Sequence, residues 1–151
     1  MYPEEGSVIP EHITDLYCRD KNLTSLPKLP YGILRLDCSC NELTSLPELP
    51  QELQSLNCFN NKLTSLPYLP ERLYTLNCGG NLLTELPPLP RHLSKLYCHY
   101  NQLIKLPELP KSLLILYCNN NQLPYTFTNV NHLIDVKLWE QKQIYEKKFL
   151  N

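Results

Sequence analysis

The 151-residue chain contains no alanine, one tryptophan, one methionine and only four glycines. No apolar run approaches the roughly 18 residues that a membrane helix needs, so no span is expected. The opening residues, Met1-Tyr2-Pro3-Glu4-Glu5-Gly6, lack a basic stretch followed by an apolar one, which argues against a secretory signal peptide. An excess of one charge is also missing. Fourteen Lys and Arg stand against 15 Asp and Glu, for a net charge of −1, and only Lys147-Lys148 form a basic pair. No global field draws such a chain to nucleic acid or to a membrane surface. GxGxxG, P-loop and HExxH motifs are absent, which removes the familiar phosphate cradles and zinc-protease helix. Missing alanine beside frequent Asn and Lys and ten tyrosines fits an AT-rich coding sequence, which bears on source and not on mechanism.

What is present is a period. Cysteine falls at every twentieth position: Cys18, Cys38, Cys58, Cys78, Cys98 and Cys118. Each sits in one frame, LxxLxCxxNxLTxLPxLPxx, clearest from Leu53 to Pro70. A fixed period of this length marks a solenoid or array. Apolar columns run through it, among them Ile13, Ile33, Leu53, Leu73, Leu93, Leu113, Leu133 and Leu16, Leu36, Leu56, Leu76, Leu96, Leu116, Val136. Leu36-Asp37-Cys38 and its equivalents alternate in, out, in, the periodicity of a strand. Identical segments recurring once per coil must stack as parallel strands, about 4.8 Å apart. Pro27 and Pro30, and their equivalents, recur three apart, which excludes a helix on the return path and suits extended or polyproline II backbone.

Asn41, Asn61, Asn81, Asn101 and Asn121 follow the strands, and a short amide turned inward satisfies backbone groups of its own and the adjacent turn. The first unit departs, with Lys21 in that column and Asn22 one place later. Residues 132–138 fit a degenerate seventh strand, and Trp139 to Leu150, free of proline and glycine, predicts a helix. Trp139, Ile144, Tyr145 and Phe149 would cover the open core end. A partner-docking helix is the other reading of the same segment.

The cysteines invite chemistry that their arrangement opposes. An odd count of seven with one per coil does not make a disulfide scaffold. A straight column aimed into leucines cannot converge four ligands on one metal. Cys18, Cys38, Cys58, Cys78, Cys98 and Cys118 read instead as small buried apolar residues in a reducing compartment. Cys40, in Cys38-Ser39-Cys40, falls outside the core column and is a candidate reactive thiol, although no base stands beside it. His12, His92, His99 and His132 share no ligand spacing, and the carboxylates form no pair. No catalytic residue, metal or cofactor is expected.

The unit resembles the leucine-rich repeats of the short bacterial-effector type, LPxLPxxLxxLxVxxNxL, with cysteine in place of valine across Leu46 to Leu63. Such repeats occur in the Yersinia outer protein M and invasion plasmid antigen H families, and the LxCxxNxLTxLP flavour is similar to repeats of giant viruses of amoebae and some intracellular bacteria. The resemblance implies a leucine-rich-repeat solenoid. It has one parallel β-strand per 20-residue repeat on a concave face, an extended or polyproline II convex side and a short C-terminal helix. The expected organisation is an N-terminal segment (1–8), a repeat domain (9–138, six clear repeats and a degenerate seventh) and a capping helix (139–151). The resemblance also implies a non-catalytic module that binds a protein on its concave face. The invasion plasmid antigen family carries a separate ubiquitin-ligase domain, and nothing after Leu138 is long enough for one. The alternative is therefore the recognition part of a ligase-type effector whose catalytic domain lies elsewhere.

The outward strand positions vary and are taken as the concave surface. Aromatic residues gather at Tyr97, His99, Tyr100 and Tyr117, with Tyr17 and Phe59 further along and a shallow gap expected at Gly79-Gly80. Tyrosine is a favoured anchor because it buries a large area and keeps a polar handle. Two readings stand: a protein-binding patch on the fifth and sixth strands, or a solvated strand face in a tyrosine-rich chain. The expected protein is a cytoplasmic monomer, in host cytoplasm if it is an effector, with a protein partner and no affinity for nucleic acid or membrane.

Overall fold

The computed structural model describes residues 9–124 and 131–149. The expected segment 1–8, residues 150–151 and the side chains of Tyr145 and Phe149 lie outside the described residues. Six three-residue strands follow one another: β1 (Asp15–Tyr17), β2 (Arg35–Asp37), β3 (Ser55–Asn57), β4 (Thr75–Asn77), β5 (Lys95–Tyr97) and β6 (Ile115–Tyr117). They form one parallel sheet in chain order. The register steps by twenty throughout, so Leu16 pairs with Leu36, Leu36 with Leu56, and so on to Leu116. An uninterrupted 20-residue period dictates this, because each coil returns the chain to the same height one strand further on.

Within each strand the central leucine is buried and its neighbours face outward. The ladder cysteine follows, and all six are fully buried with the flanking leucine columns in one continuous core. The Leu-Pro-x-Leu-Pro segments are neither helix nor strand. Each ends in a tight turn in which Pro50, Pro70, Pro90 or Pro110 accepts the N–H three residues on, at 3.0 Å, and returns the chain to the sheet. Proline accepts here and is asked to donate nothing.

Two internal ladders join the coils. In the first, the Nδ2 of Asn41, Asn61, Asn81, Asn101 and Asn121 donates to the cysteine carbonyl of its own coil and to that of the coil before, at 2.9–3.1 Å. Oδ1 of Asn61, Asn81, Asn101 and Asn121 accepts the N–H of Leu43, Leu63, Leu83 and Leu103. Asn41 also serves the first coil, accepting from both Lys21 and Leu23 at 3.0 Å, so that coil closes without an asparagine at position 21. The second ladder is conformational. Asp20, Cys40, Asn60, Gly80, Tyr100 and Asn120 all have φ between 53° and 63°. A left-handed residue turns the chain out of each strand, and aspartate, asparagine and glycine tolerate it best.

The C-terminal end departs from the expected seventh strand. Residues 133–138 open a helix, α1 (Leu133–Phe149). The sequence misleads because Leu133 and Val136, spaced like the two leucines of every repeat, also lie three apart on one helix face. In α1 both are buried against the sheet, while Leu138, in the column of the ladder cysteines, is 59% exposed. Ile144, expected to help close the core, is 65% exposed instead.

Candidate binding face

The outward residues of neighbouring strands stand directly opposite one another, so side chains on this face interact in rows across the sheet. At its N-terminal end the row begins with an ion pair between Asp15 and Arg35, both on strands. The middle rows are uncharged: Ser55 with Thr75, and Asn57 with Asn77. The last pairing sets Lys95 opposite Ile115 and, one step on, an aromatic pair. Tyr97 and Tyr117 are register partners, and their rings stack at 5.4 Å with planes 12° apart.

The aromatic candidates divide into two groups and one outlier. Tyr97 and Tyr117 form the first, which extends to His132 at 5.7 Å. Phe59, His99 and Tyr100 form the second, with His99 5.8 Å from Phe59 and in edge contact with Tyr100 at 5.6 Å. Tyr17 stands apart on β1, in register with Asp37, and is 55% exposed. The gap expected at Gly79-Gly80 is filled. A Cβ on Gly79 would lie 2.7 Å from Cε1 of His99, so the absent side chain is what lets that ring lean back toward Phe59. Burial in this position, followed by the proximity of His132, pushes the His99 imidazole below its ordinary pKa.

The cysteines are chemically quiet. Burial pushes the thiols of Cys38, Cys58, Cys78 and Cys98 well above their ordinary range. Burial, aided by Asp37 and Asp135, raises Cys18 to about 11 and Cys118 to about 12. A thiol so placed holds its proton at neutral pH and is neither nucleophile nor ligand. All seven cysteines are unpaired. Cys40 is half-buried and owes its place outside the core to the left-handed turn it occupies. Among the described residues, no group of three or more His, Cys, Asp or Glu side chains is placed to hold a metal ion. No described helix is long and apolar enough to cross a membrane.

His132 went unremarked as a functional residue in the sequence. It is buried beside the last strand, where its Nδ1 accepts the N–H of Cys118 at 3.0 Å. No spacing signals this role, because the residue contacts the sheet only once the expected seventh strand is replaced by a helix.

Known structures carry the same coil. The chain is similar to YopM from Yersinia enterocolitica WA-314, with a TM-score of 0.78 and 38% identity over 82% of this chain and 28% of that one. It is similar to a Shigella effector leucine-rich-repeat domain, with a TM-score of 0.71 and 42% identity over 72% of this chain and 50% of that one. The leucine-rich effector YopM of Yersinia pestis matches with a TM-score of 0.61 and 33% identity, over 77% of this chain and 40% of that one. The chain thus spans half or less of the length of each of these proteins. No protein-family model and no curated protein matches it.

Proposed function

We propose that the chain, which belongs to the leucine-rich-repeat proteins of the short 20-residue bacterial-effector type, is a non-catalytic module that binds another protein on the outward face of its sheet. The observation that carries this reading is the stacked Tyr97–Tyr117 pair, beside middle rows of Ser55, Thr75, Asn57 and Asn77 that are small and polar. Paired tyrosines bury a large area on contact at little cost in side-chain entropy and keep two hydroxyls for hydrogen bonding. Phe59, His99 and Tyr100 widen the patch, and Tyr17 marks its far end. The protein works as a monomer in a reducing cytoplasm, host cytoplasm if it is an effector, where seven unpaired cysteines persist.

The test is a Tyr97→Ser/Tyr117→Ser double variant. Both side chains lie outside the leucine core, so the circular dichroism spectrum and melting temperature should stay close to those of the unaltered chain. A partner recovered by affinity capture and then titrated in purified form should bind the variant at least about tenfold more weakly. Equal affinity for both chains would sink the assignment of this face.

A further inference from the structure

The last strand of a solenoid has lost the neighbour that would accept its N–H groups. In the interior, the N–H of Cys18, Cys38, Cys58, Cys78 and Cys98 donates to a carbonyl of the following coil at 2.7–2.9 Å. Among the described residues no such coil follows β6, and the residues leading into α1 supply substitutes. Asn131 Oδ1 accepts the N–H of Leu116 at 2.9 Å, and Asn131 Nδ2 donates to the Leu114 carbonyl. The His132 backbone N–H donates to the Leu116 carbonyl at 2.9 Å. His132 Nδ1 takes the place of the missing carbonyl opposite Cys118.

A backbone amide can only donate, so Nδ1 must be the bare nitrogen and the ring proton must sit on Nε2. A carbonyl never titrates near neutrality, whereas an imidazole does. Protonation at Nδ1 would set two N–H groups against each other and place a cation in a buried site.

We propose that His132 is a proton-operated latch on the C-terminal edge of the sheet, closed when the imidazole is neutral and released when it is protonated. The inference does not rest on the binding face and stands or falls separately from it. The ring is faced by Asp135 on α1, the Tyr117 ring on β6 and the Cys118 thiol at 3.9 Å, and it is coupled electrostatically to His99 after β5. Burial lowers its affinity for the proton and Asp135 opposes that, the net direction being below the ordinary 6.5. The released state therefore binds the proton more tightly. The latch is fully favoured above the ordinary imidazole range and loses ground as pH falls through the window beneath it. Release frees the Cys118 amide at the end of a parallel sheet, where an unpaired edge accepts another strand.

Amide hydrogen exchange on the whole chain tests this at pH 7.5 and 5.0, with each rate corrected for its intrinsic pH dependence. Protection of the Cys118 amide should fall by up to about tenfold per pH unit between the ordinary imidazole value and the lowered midpoint of the latched ring, and level off below that midpoint. The Cys58 amide, bonded to the Asn77 carbonyl at 2.8 Å, should keep its protection. In a His132→Asn variant the side-chain oxygen still accepts but does not titrate, so Cys118 protection should be the same at both pH values. Nitrogen chemical shifts of the unaltered chain provide a readout independent of any variant, and at pH 7.5 they should show Nδ1 bare and Nε2 protonated. Constant Cys118 protection in the unaltered chain, an equal loss in His132→Asn, or the opposite tautomer would each overturn the latch.

Discussion

The interior coils and the C-terminal end satisfy the same backbone groups by different means. In the interior, a neighbouring coil supplies the acceptors and a fully or nearly buried asparagine locks each pair of coils. At the end, the Asn131 and His132 side chains and the His132 backbone N–H do that work, Asn131 in a partly exposed setting and His132 in a buried one. A repeat stabilises its neighbours through shared interfaces, so a lesion in the middle breaks two of them and a lesion at the end only one.

The largest expected effect lies in the interior. Asn81→Ala leaves the N–H of Leu63 without a partner in a buried site and takes from the carbonyls of Cys58 and Cys78 one of their two amide donors, Asn61 and Asn101 remaining. The orphaned N–H costs about 1–3 kcal/mol and each lost carbonyl bond about 0.5–1.5 kcal/mol. Chemical denaturation should therefore show a loss of about 3 kcal/mol or more. An intermediate effect is expected from Gly80→Ala. Its φ of 63° is left-handed, and an added Cβ would lie 3.3 Å from the Asn60 nitrogen. A loss of about 1–2 kcal/mol should follow, read as a shift of the denaturation midpoint. The smallest effect belongs to the end. Asn131→Ala should cost about 0.5–1.5 kcal/mol and speed exchange of the Leu116 amide, leaving Leu56 unchanged. If Asn131→Ala destabilised the chain as much as Asn81→Ala, the end would be as integral as the middle and the contrast would fail.

Much of the coil was legible from its period. A cysteine every twenty residues forces in-register parallel stacking, and proline three apart rules out a helical return, so β1 to β6 and the extended back follow from spacing alone. The asparagine column was legible because one short amide is asked to do the same thing in every coil. The end was not, because a Leu-x-x-Val step serves a strand coil and a helix face equally. The left-handed column was also obscured. Asp20, Asn60, Gly80 and Asn120 are residues that favour such a turn, but Cys40 and Tyr100 in the same column drew notice for their chemistry instead. Gly79 could be seen to leave a gap. That the His99 ring of the next coil fills it depends on a side-chain direction that spacing does not encode.

The unbroken register has a further consequence. Every outward residue has an address given by two coordinates, its row along the sheet and its place within the strand. Inserting or removing one 20-residue unit between β3 and β5 would slide the Tyr97–Tyr117 pair relative to Tyr17 by one strand spacing, about 4.8 Å, with no other residue rewritten. Length along the face is thus a quantity that the gene can count out in whole steps, independently of what each step displays.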